Sequence, residues 1–363
     1  YVYNSGTHND ISQLGNYDVS RYRDWNGDIF QGVPILNYGN GVPQYWPTPN
    51  VVDTLEDIPN WPASTTAKVL RAFGNYMIAL NITDGTGAHP HRLLWSDGAG
   101  PGELPASWDV TDPAFDANHV DLSDTNSGQI VDGVALTDLF IVAKNRSMWI
   151  IRYIGGQEIF SVKPKLRAVG VPAPRCMIPI NIGKNRLETA FVWTGDDLGT
   201  FDGQDFLSVI EDRNRKFLTS DVDPRNFENS FVLDNRAQDE AWFCYPQNGS
   251  TDPDMACVWN YKENTVTFRE FYGTAAANGP VEGASSATWA TVMGTWEEQD
   301  PAKWQEASRE KVVIASPDDT KLIQLESGDT FDGTTFSTTI ERVGLAITGV
   351  DRDGNPIVNY QSR

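Results

Sequence analysis

Histidine is scarce in this chain, and only one close pair exists. The four histidines stand at 8, 89, 91 and 119. His89-Pro90-His91 would turn both imidazoles to one side of an extended segment, where a metal ion could bridge them. No cysteine or acidic ligand stands nearby at a metal-binding spacing, so the pair reads as surface or interface histidine. Carboxylates occur as close pairs at Asp196-Asp197, Asp221 with Asp223, Glu297-Glu298 and Asp318-Asp319. Such pairs could supply the acid and nucleophile of a glycosidase, but in an acidic chain solvated turns are the simpler reading.

Other candidate chemistry fails on spacing. Asp351-Arg352-Asp353-Gly354-Asn355 begins like a calcium loop, yet Pro356 stands where that loop needs glycine and Ser362 where it needs a bidentate glutamate. Gly98-Ala99-Gly100-Pro101-Gly102 could cradle a phosphate, but Pro101 and Pro105 stop a helix from opening behind it, and Gly-Lys-Ser/Thr is absent. Neither Gly-x-Ser-x-Gly nor His-Glu-x-x-His occurs. No catalytic, cofactor-binding or metal residue is assigned, no cofactor is expected, and the chain is read as not an enzyme.

The three cysteines, at 176, 244 and 257, are too few for a disulfide framework or a Cys-based zinc site. The loop Gln247 to Asp254 is centred midway between Cys244 and Cys257. That would place the two opposite each other in an antiparallel pair, with Cα atoms about 4.5 to 5.5 Å apart and within disulfide reach. A pair of buried reduced thiols is the alternative. Asn81, Asn145 and Asn248 open Asn-x-Ser/Thr triplets, which chance supplies in a chain of this length and which do not argue for secretion.

The elements that must position these residues are short. The 363 residues (40.2 kDa) include 31 Gly, 21 Pro, 12 Trp, 12 Tyr and 16 Phe with 40% hydrophobic content, the composition of an ordered, turn-rich chain of one or two domains. Runs such as Leu139 to Ala143 and Met148 to Tyr153 fall far short of the about 18 apolar residues that cross a bilayer, so a soluble protein is expected. With 49 Asp and Glu against 28 Lys and Arg, the net charge of −21 repels nucleic acid and anionic membrane.

Turn dipeptides punctuate the chain at Asn26-Gly27, Asn40-Gly41, Asp84-Gly85, Asp97-Gly98, Asp132-Gly133, Asp202-Gly203, Asn248-Gly249, Asp332-Gly333 and Asp353-Gly354. Between them lie β-branched and aromatic runs that predict strands: Val69 to Ile82, Leu139 to Ala143, Met148 to Ile154, Glu188 to Trp193, Ala241 to Tyr245, Ala256 to Asn260, Thr265 to Tyr272, Lys311 to Ala315 and Leu322 to Leu325. Asp300-Pro301, followed by Ala302 to Ala307, predicts one short helix.

Thr200-Phe201-Asp202-Gly203-Gln204-Asp205-Phe206 recurs as Thr330-Phe331-Asp332-Gly333-Thr334-Thr335-Phe336, and Trp25-Asn26-Gly27-Asp28 echoes Trp193-Thr194-Gly195-Asp196. At about 40 to 50 residues per propeller blade, this predicts an all-β fold: a β-propeller of about seven or eight blades in a single domain over 1–363. Long polar loops at Trp46 to Asn60 and Gly98 to Asp124, and at most one or two short helices, complete that expectation.

Four blocks carry a likeness to a known family. They are Trp25-Asn26-Gly27-Asp28-Ile29-Phe30-Gln31-Gly32-Val33-Pro34 through Asn37 to Pro43-Gln44-Tyr45-Trp46; Leu70-Arg71-Ala72-Phe73-Gly74-Asn75-Tyr76 leading to Leu94-Trp95-Ser96-Asp97; Trp193-Thr194-Gly195 leading to Phe201-Asp202-Gly203; and Leu325-Glu326-Ser327-Gly328 to Asp332-Gly333 and Glu341-Arg342-Val343-Gly344-Leu345. Their order resembles the propeller portion of the tail nozzle, or tail tubular protein B, of short-tailed, podovirus-type bacteriophages.

The resemblance implies a virion structural protein assembled in the host bacterial cytoplasm. It implies a homo-oligomeric ring of six copies, with tail adaptor and tail fibre proteins as partners. It also implies double-stranded DNA passing without sequence-specific binding, and a segment of a longer chain. The negative charge suits a conduit through which DNA must slide. Two readings compete: a secreted propeller that binds glycans or hydrolyses glycosides, with Trp and Asp at its central mouth, and a host scaffold that binds peptides. The second lacks the WD and kelch blade signatures.

Overall fold

The computed structural model describes residues 2–4, 7–13, 17, 25–48, 53–123, 128–182, 187–280, 310–317, 322–325, 346–350 and 356–360. Strands β1 (Val2–Asn4) and β2 (Thr7–Asn9) form a hairpin. The first sheet follows with β3 (Asn26–Phe30), β4 (Val33–Asn37), β5 (Gln44–Tyr45) and β6 (Glu56–Asp57). The second holds β7 (Thr66–Phe73), β8 (Tyr76–Asp84), β9 (Gly87–Trp95) and β10 (Asn118–Asp121). The third holds β11 (Ile130–Ala135), β12 (Phe140–Lys144), β13 (Met148–Tyr153) and β14 (Phe160–Leu166). The fourth holds β15 (Met177–Ile182), β16 (Leu187–Trp193), β17 (Leu198–Phe201) and β18 (Phe206–Ser208).

The fifth sheet holds β19 (Phe231–Asn235), β20 (Glu240–Tyr245), β21 (Met255–Asn260) and β22 (Thr265–Glu270). The sixth shows β23 (Ala275–Pro280), β24 (Glu310–Ala315) and β25 (Leu322–Gln324), and β26 (Ala346–Val350) pairs with β27 (Pro356–Tyr360). Every sheet is an antiparallel meander in chain order. The first strands touch in series, β3 to β7, β7 to β11, β11 to β15, β15 to β19 and β19 to β23. Sheets laid side by side by their first strands are the blades of a β-propeller.

The described residues form six blades, where seven or eight were expected of the chain. First strands begin at 26, 66, 130, 177, 231 and 275, and the step reaches 64 residues where the long loop before β10 intervenes, against the about 40 to 50 residues assumed for a propeller repeat.

Burial on both faces explains why the runs are continuously apolar rather than alternating. Phe140 and Val142 pack toward the second sheet, while Ile141 and Ala143 pack toward the fourth. Similar clusters seal the other interfaces: Phe30, Ile35, Leu70 and Met77 between the first and second sheets, and Leu233, Trp242, Phe271 and Ile314 between the fifth and sixth. Trp193, 2% exposed, stacks on Phe243 at 4.4 Å between the fourth and fifth sheets.

Several expectations need correction. The run Val69 to Ile82 is two strands, because Gly74 at φ +57° turns the chain between β7 and β8. Asn26-Gly27 and Asp132-Gly133 are not turns: they lie within β3 and β11. A Cβ on Gly133 would stand 2.6 Å from the Phe140 ring, and one on Gly27 would collide with the Ile35 carbonyl, so glycine is needed there for space. The echo of Trp25 to Asp28 in Trp193 to Asp196 therefore fails, since Trp193 ends a strand and Trp25 precedes one.

The α-helix of the described residues is α1 (Asp212–Asp221), which buries only Leu218 and has no side-chain N-cap hydrogen bond; a 3₁₀ turn follows at Phe227–Asn229. The helix expected at Asp300 to Ala307, the second Thr-Phe-Asp-Gly segment at Thr330 to Phe336, and the dipeptides Asp332-Gly333 and Asp353-Gly354 lie outside the described residues.

Cys244 and Cys257 are not opposite each other. β20 ends at Tyr245 paired with Met255, so Cys244 faces Ala256 and Cys257 faces Phe243. A one-residue offset reverses the sheet face. Cys257 therefore sits in the core shared with the fourth sheet and Cys244 in the core shared with the sixth, both free and buried.

Candidate functional site

Two concave surfaces carry most of the polar side chains of interest. The first lies on the first strands. Asn26 accepts from the Leu70 amide at 2.9 Å and donates to the Lys68 carbonyl at 2.9 Å, and Asp28 accepts from the Ala72 amide at 3.0 Å. These bonds tie β3 to β7. Arg71 on β7 reaches Asp132 on β11 at 2.7 Å and donates to the Gly133 carbonyl at 3.0 Å and the Gly27 carbonyl at 3.4 Å. The other carboxyl oxygen of Asp132 accepts from the Arg175 amide at 2.9 Å. The Arg175 side chain donates to the Thr274 carbonyl at 3.1 Å, just ahead of β23, and lies 5.4 Å from the Phe231 ring centre. A cavity of about 480 Å³ opens on this surface beside Asp28, Arg71, Met177 and Pro179.

The second surface is a cleft of about 380 Å³ on the second sheet, enclosed by the segment that leads into β7 and the loop between β9 and β10. Ile82, Leu94 and Pro62 give it an apolar floor; Asn60, Asp84, Arg92, Asp109 and His119 stand on its polar side. Its roof is Trp108, carried by the loop between β9 and β10. That loop is irregular but tied down: Ser107 accepts from the Asp97 amide at 2.9 Å, Ala106 accepts from Asn60 at 2.9 Å, and Asp116 accepts from the Trp95 indole at 2.8 Å and Tyr76 at 3.0 Å. Trp108 packs edge-on to Trp61 at 4.7 Å. Its indole N–H is buried with no hydrogen-bond partner.

Charges around this cleft are closely coupled. The Thr86 hydroxyl and amide hold Asp84 down at a pKa of about 2, with His89 Nε2 at 3.2 Å adding to the effect. Arg92 binds Asp121 in a fork at 2.9 and 3.1 Å, holding that carboxyl below its usual range, and reaches Asp84 at 3.4 Å. Loss of solvation, then the Arg92 charge, pulls the His119 imidazole below its ordinary value. Thr111 lowers Asp109 through its hydroxyl and amide.

His89 and His91 do not continue one regular strand face. Register slips between Leu80↔Leu93 and Ile82↔His89, so the extra residues of β9 lie between His89 and Leu93, a span that contains His91. His89 bonds Thr86 and Asp84 instead. No group of three His, Cys, Asp or Glu side chains among the described residues is placed to hold a metal ion.

The remaining candidates serve the fold. Asp197 accepts from Ser208 at 2.8 Å and Arg215 at 3.2 Å, and Asp196 accepts from Thr194 at 2.9 Å. Asp221 accepts from Tyr245 at 2.9 Å and from Gln247, while Asp223 caps the turn at Arg225 and Asn226 and accepts from the Gly249 amide. In the glycine-rich loop, the amides of Ala99 and Gly102 are spent on the carbonyls of Asn75 and Gln31. Asn81 and Asn248 bond backbone carbonyls, and Asn145 accepts from the Gln129 amide. Glu297-Glu298, Asp318-Asp319 and the Asp351 to Asn355 segment lie outside the described residues.

The cleft is what the sequence reading missed. Its signal was a tryptophan in a polar loop, with Asp84, His89 and Arg92 closely spaced around one hairpin.

No family model matches the chain, and no curated protein does. Among solved structures it is similar to a tryptophan-to-alanine mutant of the Synechocystis apocarotenoid oxygenase, at 11% identity and a TM-score of 0.35, covering 68% of this chain and 59% of that one. The chain thus spans about three fifths of that oxygenase's length. The AfRom2 CNH domain is similar at 11% identity and a TM-score of 0.37, over 90% of this chain and 89% of that one. Neither likeness bears on chemistry. No helix among the described residues is long and apolar enough to cross a membrane.

Proposed function

We propose that this chain is a non-catalytic structural component of the tail of a short-tailed bacteriophage, of the nozzle type. In the virion it would form a homo-oligomeric ring of six copies below a tail adaptor. It would give neighbouring tail proteins a rigid platform and leave a passage for double-stranded DNA during genome ejection. The whole of 1–363 would act as one propeller-type unit.

The resemblance of the four sequence blocks suggests the reading, and one structural observation supports it. The charged side chains beside the central cavity are consumed in bracing the blades: Arg71 on Asp132 and two carbonyls, Asp28 on the Ala72 amide, Asp132 on the Arg175 amide. A propeller that transmits load needs such braces, whereas one that turns over a ligand at its mouth needs those groups free. The competing glycan reading put a tryptophan at the central mouth. No tryptophan lines this cavity among the described residues.

Negative-stain imaging with native mass measurement, at micromolar concentration and again with purified adaptor, tests the proposal. Closed six-fold rings with a central channel are expected. A monomer that forms no ring in either condition would overturn it.

A further inference from the structure

Charge on this chain is segregated along the sequence. Leu93 to Ala143 holds nine acidic residues and no lysine or arginine, whereas Lys144 to Arg175 holds seven lysines and arginines against Glu158 alone. The fold sets the two stretches side by side. The acidic one supplies the loop between β9 and β10, and the basic one supplies β13, β14 and their flanks, with β14 the outermost strand of the third sheet. Tyr76 stands between them: it donates to Asp116 in the loop at 3.0 Å and packs against Tyr153 at the end of β13 with ring centres 6.0 Å apart.

Each stretch joins unpaired charge to exposed apolar side chains. Arg146, Arg152, Lys163 and Arg167 are exposed and form no ion pair among the described residues. Arg152 pairs with Ser161 and Lys163 with Ile150 across β13 and β14, so these two cations are diagonal neighbours on one sheet face, about 7 to 8 Å apart. Next in the chain, Tyr153 and Ile154 are 59% and 55% exposed. On the loop, Asp109, Asp112 and Asp116 accept hydrogen bonds from Thr111, Ala114 and Tyr76 but form no ion pair among the described residues. Val110 and Phe115, between them in the chain, are exposed. Apolar side chains rimmed by charge are the make-up of a protein–protein interface. Tyr153, held against Tyr76 and Phe160, has the rigidity of an anchor.

The partner follows from the arrangement. Lys163, Pro164 and Lys165 keep β14 from accepting a further strand, so contact comes through side chains. Acid beside base on one surface is self-complementary: a second copy turned over by a two-fold rotation lays its acidic loop on the basic edge and receives the same in return. Nucleic acid would meet the basic edge, but the adjoining acidic loop and the net charge of −21 repel it. We propose that the surface formed by the β9–β10 loop and the outer edge of the third sheet pairs two copies of this chain about a two-fold axis. The pairing goes beyond the tail reading and does not rest on it, because a ring closes through heterologous contacts instead.

Sedimentation and native mass measurement on the whole chain test it, with pairing read as a doubling of the mass that the variants below retain. The parent is expected to pair with a dissociation constant of about 10 μM or below. Pairing should weaken at least tenfold between about 0.1 and 1 M salt, as the Debye length falls from about 10 to about 3 Å. Arg152→Glu with Lys163→Glu, and separately Asp109→Lys with Asp112→Lys, should each halve the mass. An equimolar mixture of the two double variants should restore it as mixed pairs, since acid then meets base at both contacts. Asp109 and Asp112 also shape their own turns, so Ile154→Asp, at an exposed position, provides a third variant and should weaken pairing at least tenfold. The proposal is overturned by a parent mass that no variant halves, or by a halved mass that mixing fails to restore although each variant unfolds at the parent's temperature. A parent that stays unpaired and binds random-sequence DNA through Arg152 and Lys163 would overturn it as well.

Discussion

The first strands and the Trp108 cleft use the same residue types to opposite ends. Both gather an arginine and aspartates, the first across neighbouring blades and the second within the second sheet. On the first strands, Arg71 spends itself on Asp132 and two carbonyls, and Asp132 has its second oxygen on the Arg175 amide. In the cleft, Arg92 is paired with Asp121 and Asp84 of its own sheet. The difference teaches what a charge cluster does on an acidic propeller. Charge density marks both places, and what separates them is where it is spent: across three blades by Arg71 and Asp132, within one sheet by Arg92.

The comparison breaks first at Asp132. That carboxylate is 2% exposed against 17% for its partner Arg71. Removing one member of a buried pair leaves the other charge uncompensated, at a cost of about 3 to 5 kcal/mol. Asp132→Ala should lose about that much in chemical denaturation. A loss under about 1 kcal/mol, the range of exposed pairs, would mean that the first strands are not braced as described. Trp193→Ala is the apolar counterpart. It removes a ring stacked on Phe243 between the fourth and fifth sheets and should also cost about 3 to 5 kcal/mol, with unchanged thermal stability sinking the claim that this interface is tightly packed.

How much of this could be read from the sequence depended on whether a local rule had a competitor. Strands such as β12, β20 and β21 were legible because β-branched and aromatic runs have no better use than a two-sided core. Asn26-Gly27 and Asp132-Gly133 misled because the same dipeptide that makes a hairpin also serves a first strand. There the Asn or Asp bonds the neighbouring blade, and the Gly makes room for Ile35 or Phe140.

The cysteine pairing failed by a single residue of register, which strand ends decide and composition does not. α1 was invisible because Asp-Arg-Asn-Arg-Lys-Phe-Leu-Thr-Ser-Asp carries one buried apolar residue, too few for a helical period. The cleft was illegible for a different reason: the long loop that brings Trp108 over Leu94 is held by single bonds from Asn60, Trp95 and Tyr76, partners up to 46 residues away that no local pattern announces.

A sharper probe of the cleft is acid. Asp84 is held at a pKa of about 2 against an ordinary 3.8 by Thr86 and then His89. A carboxyl depressed in the folded state contributes its full stabilisation above the unfolded value and loses it as pH falls through the folded one. That contribution is therefore present above pH 3.8 and disappears on the way down to about 2. Asp84→Asn removes the linkage, so the slope of stability against pH should flatten within that window and stay as it was above it. A variant whose acid limb matches the parent would show that the Thr86 bonds do not hold the carboxylate in solution.

The smallest effect should come from His119. It lies on the cleft, is exposed, and its pKa is pulled down rather than raised by its surroundings, which means that the fold gains nothing from charging it. His119→Ala should therefore move stability by no more than about 0.5 kcal/mol, the range of surface substitutions away from structural features. The contrast with Asp132→Ala is the point of the experiment. If the two junctions differ as described, a polar residue can be deleted from the cleft almost freely, while one deleted from the first strands unfastens three blades. A loss of about 2 kcal/mol or more at His119, as large as a core truncation, would place the cleft among the braces and erase the contrast with the first strands.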